Sequence, residues 1–383
     1  MTRRHALREF ARFAAASPLL ALPPQANPAK LEEMINVFDF DPIAKSKLAK
    51  PNYEYVTGGS WDEWTLKRNR TEFDKIILLP RFMRRVDKLD LSITLFGEKL
   101  DMPILVAPTG THTMVHPDGE LATVRGAGAA GAAMVVSTSS SYPLAKIAAE
   151  ANRPLWFQLY TGPDLDGTRD RVENARALGC KAICLTVDAP YHAPRERDAR
   201  NNLVRTFGEA KAGPRRRRYS EEAATSPFGL PMRFQATLDW SFVDQLCAYA
   251  KLPVLLKGIL TPEDAVLAAQ HGAAGVIVSN HGGRYLDGAP STIEMLPSIV
   301  DAVEGRIPVL IDSGFRRGTD ILKALAIGAT AVLVGRPPLW GLGAFGQDGV
   351  QRVMEILRNE LAWAMGLAGR STIASLDRTL LRY

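Results

Sequence analysis

Residues 275–288 read GVIVSNHGGRYLDG. The first four, Gly275 to Val278, are a short apolar run rich in β-branched side chains, which suits a strand buried on both faces. The remainder has the opposite character. Ser279, Asn280, His281, Gly282, Gly283 and Arg284 set an imidazole and a guanidinium three residues apart on a glycine-loosened loop, where a buried parallel strand would empty into a pocket. One such loop reads equally well as a turn carrying a solvated His and Arg. Repetition along the chain decides between the two.

From Pro103 onward, short apolar runs alternate with alanine-rich helical stretches, as a βαβ series should. The spacing predicts strands at Ile104 to Ala107, Met134 to Val136, Trp156 to Leu159, Ala182 to Leu185, Val254 to Leu256, Gly275 to Val278, Val309 to Ile311 and Ala331 to Val334. Eight parallel strands with intervening helices close a (β/α)8 barrel, where chemistry gathers at the C-terminal strand ends. Every predicted end carries a polar group or a glycine turn: Pro108-Thr109-Gly110, Ser137, Gln158 with Tyr160, Thr186 with Asp188, Lys257, Ser279 with His281 and Arg284, Asp312, and Gly335 with Arg336. After strands seven and eight, Asp312-Ser313-Gly314-Phe315-Arg316 and Gly335-Arg336 pair glycine amides with arginines, where barrels commonly hold a phosphate. A phosphate-bearing cofactor is the working expectation.

The 383 residues, 46% hydrophobic and 23% charged, are ordinary for a globular protein with a large core. A net charge of +6 fits an anionic partner of any size, from a carboxylate to a nucleic acid, and so selects none. Cys180, Cys184 and Cys247 have neither metal-ligand nor redox spacing and read as core residues. No apolar run approaches the roughly 20 residues needed to span a bilayer.

Residues 1–30 read as an extension separate from a 31–383 catalytic domain. Arg3-Arg4, the weakly apolar stretch Phe13 to Leu22 and Pro23-Pro24-Gln25-Ala26 resemble a twin-arginine export signal, although Arg12 and Pro18 interrupt the apolar part. Export to the periplasm or another extracytoplasmic compartment is the expectation, with a cytoplasmic protein as the alternative. From Asn36 to Thr71 the text is helical and aromatic, and Tyr55 beside Gly58-Gly59 is placed to point a hydroxyl into a site. Arg195 to Trp240 breaks the rhythm and reads as a long mobile loop after strand four. Its run Arg215 to Arg218 reads as solvated surface, with peripheral membrane contact or nucleic-acid attraction as the sharper alternative.

These motifs carry a family resemblance. APTG, HPDGE, FQLY, LTVDAP, LLKGI, SNHGGRYLDG, DSGFRRGTD and VGRP fall in the order and at the intervals of the FMN-dependent 2-hydroxy acid oxidases and dehydrogenases, the group of glycolate oxidase, lactate oxidase and mandelate dehydrogenase. The resemblance spans about Asn36 to the C-terminus. It implies FMN as cofactor, His281 as the active-site base and Asp188 as the carboxylate that orients it. It further implies Arg195 and Arg284 as the grip on the substrate carboxylate, Tyr55 and Tyr160 as its hydrogen-bonding partners, and Lys257 near flavin N1. Pro108, Thr109, Gly110, Ser137, Gln158, Thr186 and Ser279 would complete the flavin shell, with Asp312, Ser313, Gly314, Phe315, Arg316, Gly335 and Arg336 at phosphate and ribityl. Electrons would pass to oxygen or to a quinone or cytochrome, and a homotetramer is the family's usual assembly.

Two positions depart from the glycolate oxidase pattern. Ser139 stands where that enzyme carries a tryptophan, and Gly110 stands where many oxidases carry alanine. Both replacements remove bulk, which implies a substrate side chain larger than glycolate's, lactate or beyond. Two other readings keep the barrel: an FMN enzyme of isomerase type, against which the Arg195, Arg284 and His281 set argues, and a non-catalytic anion-binding scaffold, which the intact set of chemical groups does not favour.

Overall fold

The computed structural model describes residues 29–161, 165–201, 203, 222–225 and 231–383. The arginine pair and apolar stretch before residue 29, and the run Arg215 to Arg218, lie outside the described residues. The chain divides after Met34. Before that point the described part is a single 3-10 turn, Leu31–Glu33, and everything below concerns Ile35–Tyr383.

Eight parallel strands close a barrel: β1 (Ile104–Val106), β2 (Met134–Ser137), β3 (Leu155–Leu159), β4 (Ile183–Thr186), β5 (Val254–Ile259), β6 (Gly275–Val278), β7 (Val309–Ile311) and β8 (Ala331–Val334). Each pairs with its sequence neighbour, and β8 returns to β1 through Val332↔Ile104, Leu333↔Leu105 and Val334↔Val106. The intervening helices start where local chemistry tells them to. Thr261 caps Pro262–Gln270 with proline in the first turn, and Ser291 with Glu294 forms a capping box on Thr292–Val303.

The barrel interior follows the two-residue period of a strand. Leu105 and Ala107, Ala133 and Val135, Trp156, Ala182 and Cys184, Leu255, Ile277, Leu310, and Ala331 and Leu333 pack into one buried cluster. The antiparallel hairpin Ile93–Leu95 and Glu98–Leu100 closes the end where the strands begin. It adds Leu95 and Leu100 to the cluster and sets Phe96 5.6 Å from the ring of Trp156. Two residues further along the same rows the side chains turn polar: Thr109, Ser137, Gln158, Thr186, Lys257, Ser279 and Asp312, with Gly335 on the eighth. One face of each strand is therefore core at its start and chemistry at its end.

Several strand bounds move from those expected. Lys257 lies within β5, which continues to Ile259, and Ser137 and Thr186 are the last residues of β2 and β4. These polar side chains stay in the ladder because they are buried and hydrogen-bonded, Ser137 and Thr186 to Gln158 and Lys257 to Ser279. The segment from Arg195 is also not a plain loop. Its described parts are a helix Glu196–Arg200, an antiparallel pair Glu222–Thr225 with Pro231–Arg233, and a 3-10 turn Phe234–Thr237. Glu196 and Asp198 in the first turn of the short helix suit its positive end, and Asp198 pairs with Arg195.

The helices Phe40–Lys47, Lys50–Thr57 and Trp64–Thr71 come before the barrel in sequence and meet it at its mouth. Ser60 N–H donates to the Gly283 carbonyl at 3.0 Å, Thr65 N–H to Asp287 at 2.8 Å, and Asn69 exchanges side-chain amide bonds with Asn280 at 2.9 and 2.7 Å. Gly283 makes this approach feasible: at φ 72° a Cβ there would lie 2.6 Å from the Leu66 nitrogen.

Candidate active site

His281 follows β6 in the left-handed region, at φ 56°. That conformation is uncommon outside glycine and persists only when the surroundings fix it. Here its N–H donates to Ser279 Oγ at 3.1 Å, while its ring Nδ1 lies 2.8 Å from Asp188 Oδ1. With Nδ1–H directed at a carboxylate, the neutral ring presents an unprotonated Nε2. Burial pushes the His281 pKa below its ordinary value, Asp188 opposes that shift, and Lys257 and Arg284 reinforce it. Burial alone would raise the Asp188 pKa, but the His281 interaction and Lys257 bring it below the usual carboxylate range. The pair is a neutral imidazole backed by an ionised acid.

Two guanidiniums stand at the ring of Tyr55, Arg195 at 5.0 Å and Arg284 at 4.9 Å from its centroid. Arg284 donates from one nitrogen to the carbonyls of Tyr55, 2.7 Å, and Gly58, 3.0 Å; Arg195 is held by Asp198 at 2.9 Å. Burial first, and then Arg195, lower the Arg284 pKa. Two such cations facing one cavity suit a carboxylate between them, because a planar fork matches its two oxygens. Tyr160 lines the same cavity, as do Pro108, Gly110 and Ser139.

Lys257 is buried at 4% exposure with its ammonium 2.8 Å from Ser279 Oγ and 3.1 Å from Asp312 Oδ2. Burial would depress its pKa, yet Asp312 and Asp188 outweigh that and raise it, so the ammonium keeps its charge. Beside it, Ser137 donates to Gln158 Oε1 at 3.1 Å and Gln158 Nε2 donates to Thr186 at 3.0 Å. Asp188, Gln158, Thr186 and Ser279 back the cavity wall, each bonded to a side chain or ladder neighbour that faces it.

At the far end Arg336 donates to the carbonyls of Val56, Gly282 and Gly58 at 3.0, 3.0 and 2.9 Å, sharing the Gly58 carbonyl with Arg284. Burial, then Arg284 and Arg316, hold its pKa well below the ordinary value. Arg316 stacks on Trp340 at 4.6 Å, and burial with Arg70 nearby brings its pKa down to about 10. Ser313 and Gly314 turn at φ 77° and 87°, and a Cβ on Gly314 would fall 1.9 Å from the Asn69 carbonyl oxygen. Phe315 lines the cavity, and its buried ring packs 5.0 Å from that of Phe73 in the core.

Among the described residues, the charged side chains lining the cavity are Arg195, Lys257, Arg284, Arg316 and Arg336 against Asp312. Like charges at this density, with Lys257 and Arg316 buried and the other three partly so, call for an anionic occupant. FMN fits: its phosphate matches the Arg316, Arg336 and Gly335 end, and a fixed ammonium at Lys257 matches a ring that becomes anionic when reduced. Tyr285, His192 and His112 escaped sequence reasoning. Tyr285 lies inside the opening motif and sets its ring 4.6 Å from that of His281; His192 follows β4 and lines the cavity; His112 lies behind Thr109.

Known proteins agree with this geometry. The profile of the FMN-dependent dehydrogenase family matches residues 44–383. Glycolate oxidase 3 of Arabidopsis thaliana is 41% identical over 354 residues, covering 91% of this chain and 96% of its own, and an L-lactate oxidase of Nostoc sp. is 43% identical, covering 91% and 98%. A crystal structure of mandelate oxidase with benzoyl-formic acid superposes with a TM-score of 0.81 at 39% identity, covering 91% of this chain and 98% of that one. The chain therefore belongs to the FMN-dependent 2-hydroxy acid oxidoreductases, a family of (β/α)8-barrel flavoenzymes.

Proposed function

We propose that this enzyme oxidises an L-2-hydroxy acid with a side chain larger than glycolate's, lactate or longer, to the 2-keto acid, with His281 as base and oxygen as electron acceptor. The observation that carries the reading is the His281–Asp188 pair and the Arg195–Arg284 pair lining one cavity with Lys257. In it, Arg195 and Arg284 hold the substrate carboxylate and Tyr55 and Tyr160 supply hydroxyls to its polar groups. His281 accepts one proton at Nε2, and the Asp188 carboxylate stabilises the imidazolium that results. FMN, when bound, supplies the two-electron sink. Lys257 keeps a positive charge beside it, and Pro108, Thr109, Gly110 and Ser137 would frame its ring while Arg316, Gly335 and Arg336 hold its phosphate.

The room left by Gly110 and Ser139 supports the larger side chain, and relatives named as lactate and mandelate oxidases support both substrate class and oxygen. The test is anaerobic mixing with a series from glycolate to aryl hydroxy acids, followed by turnover with oxygen or a quinone-like dye. Flavin bleaching with the larger acids and rapid reoxidation by oxygen are expected. Glycolate as the best substrate by kcat/KM would refute the pocket argument, and turnover with the dye alone would replace oxygen by a quinone. A homotetramer and export of residues 1–30 belong to the same proposal, tested by sedimentation and by the N-terminal sequence of the secreted protein.

A further inference from the structure

Behind Thr109 runs a buried relay that the chemistry above does not use. His112 begins the 3-10 turn His112–Met114 and is 1% exposed. Its ring bridges two hydroxyls, with Nε2 2.7 Å from Thr109 Oγ1 and Nδ1 2.9 Å from Thr123 Oγ1. Thr123 Oγ1 in turn lies 3.2 Å from the Gly119 carbonyl, one turn earlier in helix Gly119–Ala129.

That carbonyl sets the direction of the whole row. A carbonyl only accepts, so Thr123 gives it the single hydroxyl proton and receives Nδ1–H from the imidazole. A neutral ring then has a bare Nε2, and Thr109 must donate to it. Burial favours the neutral ring, with Glu120 and a hydrogen bond to the Thr109 main chain opposing; Glu120 Oε1 receives the main-chain N–H groups of His112 and Ser141 at 3.0 and 2.9 Å. Thr109, whose proton is committed inward, lines the flavin cavity.

We propose that His112 is a positioning residue that fixes the polarity of the Thr109 hydroxyl, so that this wall offers the bound flavin lone pairs and no proton. The inference rests on FMN as the occupant of the cavity. Were the relay broken, the Thr109 hydroxyl would be free to rotate and donate into the cavity.

Two measurements on the full-length holoenzyme test it. In 15N-histidine spectra, the ring signals that disappear in His112→Gln belong to His112, and they are expected to report a protonated Nδ1 and a bare Nε2. FMN dissociation constants are then compared for wild type, His112→Gln and His112→Leu, each with and without Thr109→Val. Gln, which keeps a carbonyl for Thr109 and an amide for Thr123, is expected to stay within about threefold of wild type. Leu is expected to weaken FMN by about three- to tenfold, and to add nothing once Thr109 is valine. A proton on Nε2, or an equal loss from Leu in both backgrounds, would overturn the proposal. Wild-type protein that retains no FMN would strike the cofactor assignment instead, and the tautomer readout would remain.

Discussion

Gly258 faces Asp188 so closely that a Cβ on Gly258 would lie 2.5 Å from the Asp188 Cβ, and the glycine sits at φ 115°, where other residues are strained. The strand after Lys257 thus makes room for the carboxylate that orients His281. Gly258→Ala is expected to cost about 1–3 kcal/mol from backbone strain and to push Asp188 off its 2.8 Å contact. Thermal unfolding reads the first effect. A fall in kcat of more than about tenfold, with KM changed less, reads the second.

The direction of the His281 shift gives a pH prediction. Its pKa lies below the ordinary 6.5 because burial disfavours the cation, and the base form is the neutral one. The acid limb of kcat/KM is therefore expected below pH 6.5, with activity rising as pH climbs through it. Asp188→Asn removes an anion that raises this pKa, so the limb should move lower still while the plateau drops by about 100-fold or more. An acid limb moving upward in that variant would contradict the assigned pairing.

Arg336 makes a thermodynamic prediction about the cofactor. Its half-buried charge lies among carbonyls near Arg284 and Arg316, so an occupied phosphate site relieves crowding that persists without FMN. Binding to the folded state alone raises stability, and FMN removal is expected to lower Tm. In Arg336→Gln the FMN-loaded protein should lose more than the FMN-free protein, narrowing the gap between them. Thermal scans of both forms at matched salt give the comparison.

Most of the barrel was legible because a strand buried on both faces leaves an apolar run, and a polar residue at its end breaks that run visibly. The same rule misplaced Lys257 and Thr186 just beyond their strands: polarity was read as an end, whereas paired burial keeps both in the ladder. Tyr55 was legible as a candidate only through its glycine neighbours, since its contact with Arg195 and Arg284 depends on helices folding back over the mouth. His112 carried no signal at all. A histidine in a turn reads as solvated until Thr109 and Thr123 are seen to enclose it.

Ser139 and Gly110 settle how substrate size is tested, because they touch. A Cβ on Gly110 would lie 3.0 Å from both the Cβ and the carbonyl oxygen of Ser139, and Thr111 N–H donates to that same carbonyl at 3.1 Å. Gly110→Ala must therefore shift Ser139 by a few tenths of an ångström, a small displacement resisted by a main-chain bond. Its expected effect is a modest rise in KM confined to the bulkiest hydroxy acids. Ser139→Trp fills the space outright, and kcat/KM for lactate and larger acids is expected to fall by about 10- to 100-fold while glycolate changes little. If both variants lowered all substrates equally, the space beside Ser139 would not be where the side chain lies, and size selection would have to be sought around His192 and Tyr285, which also line the cavity.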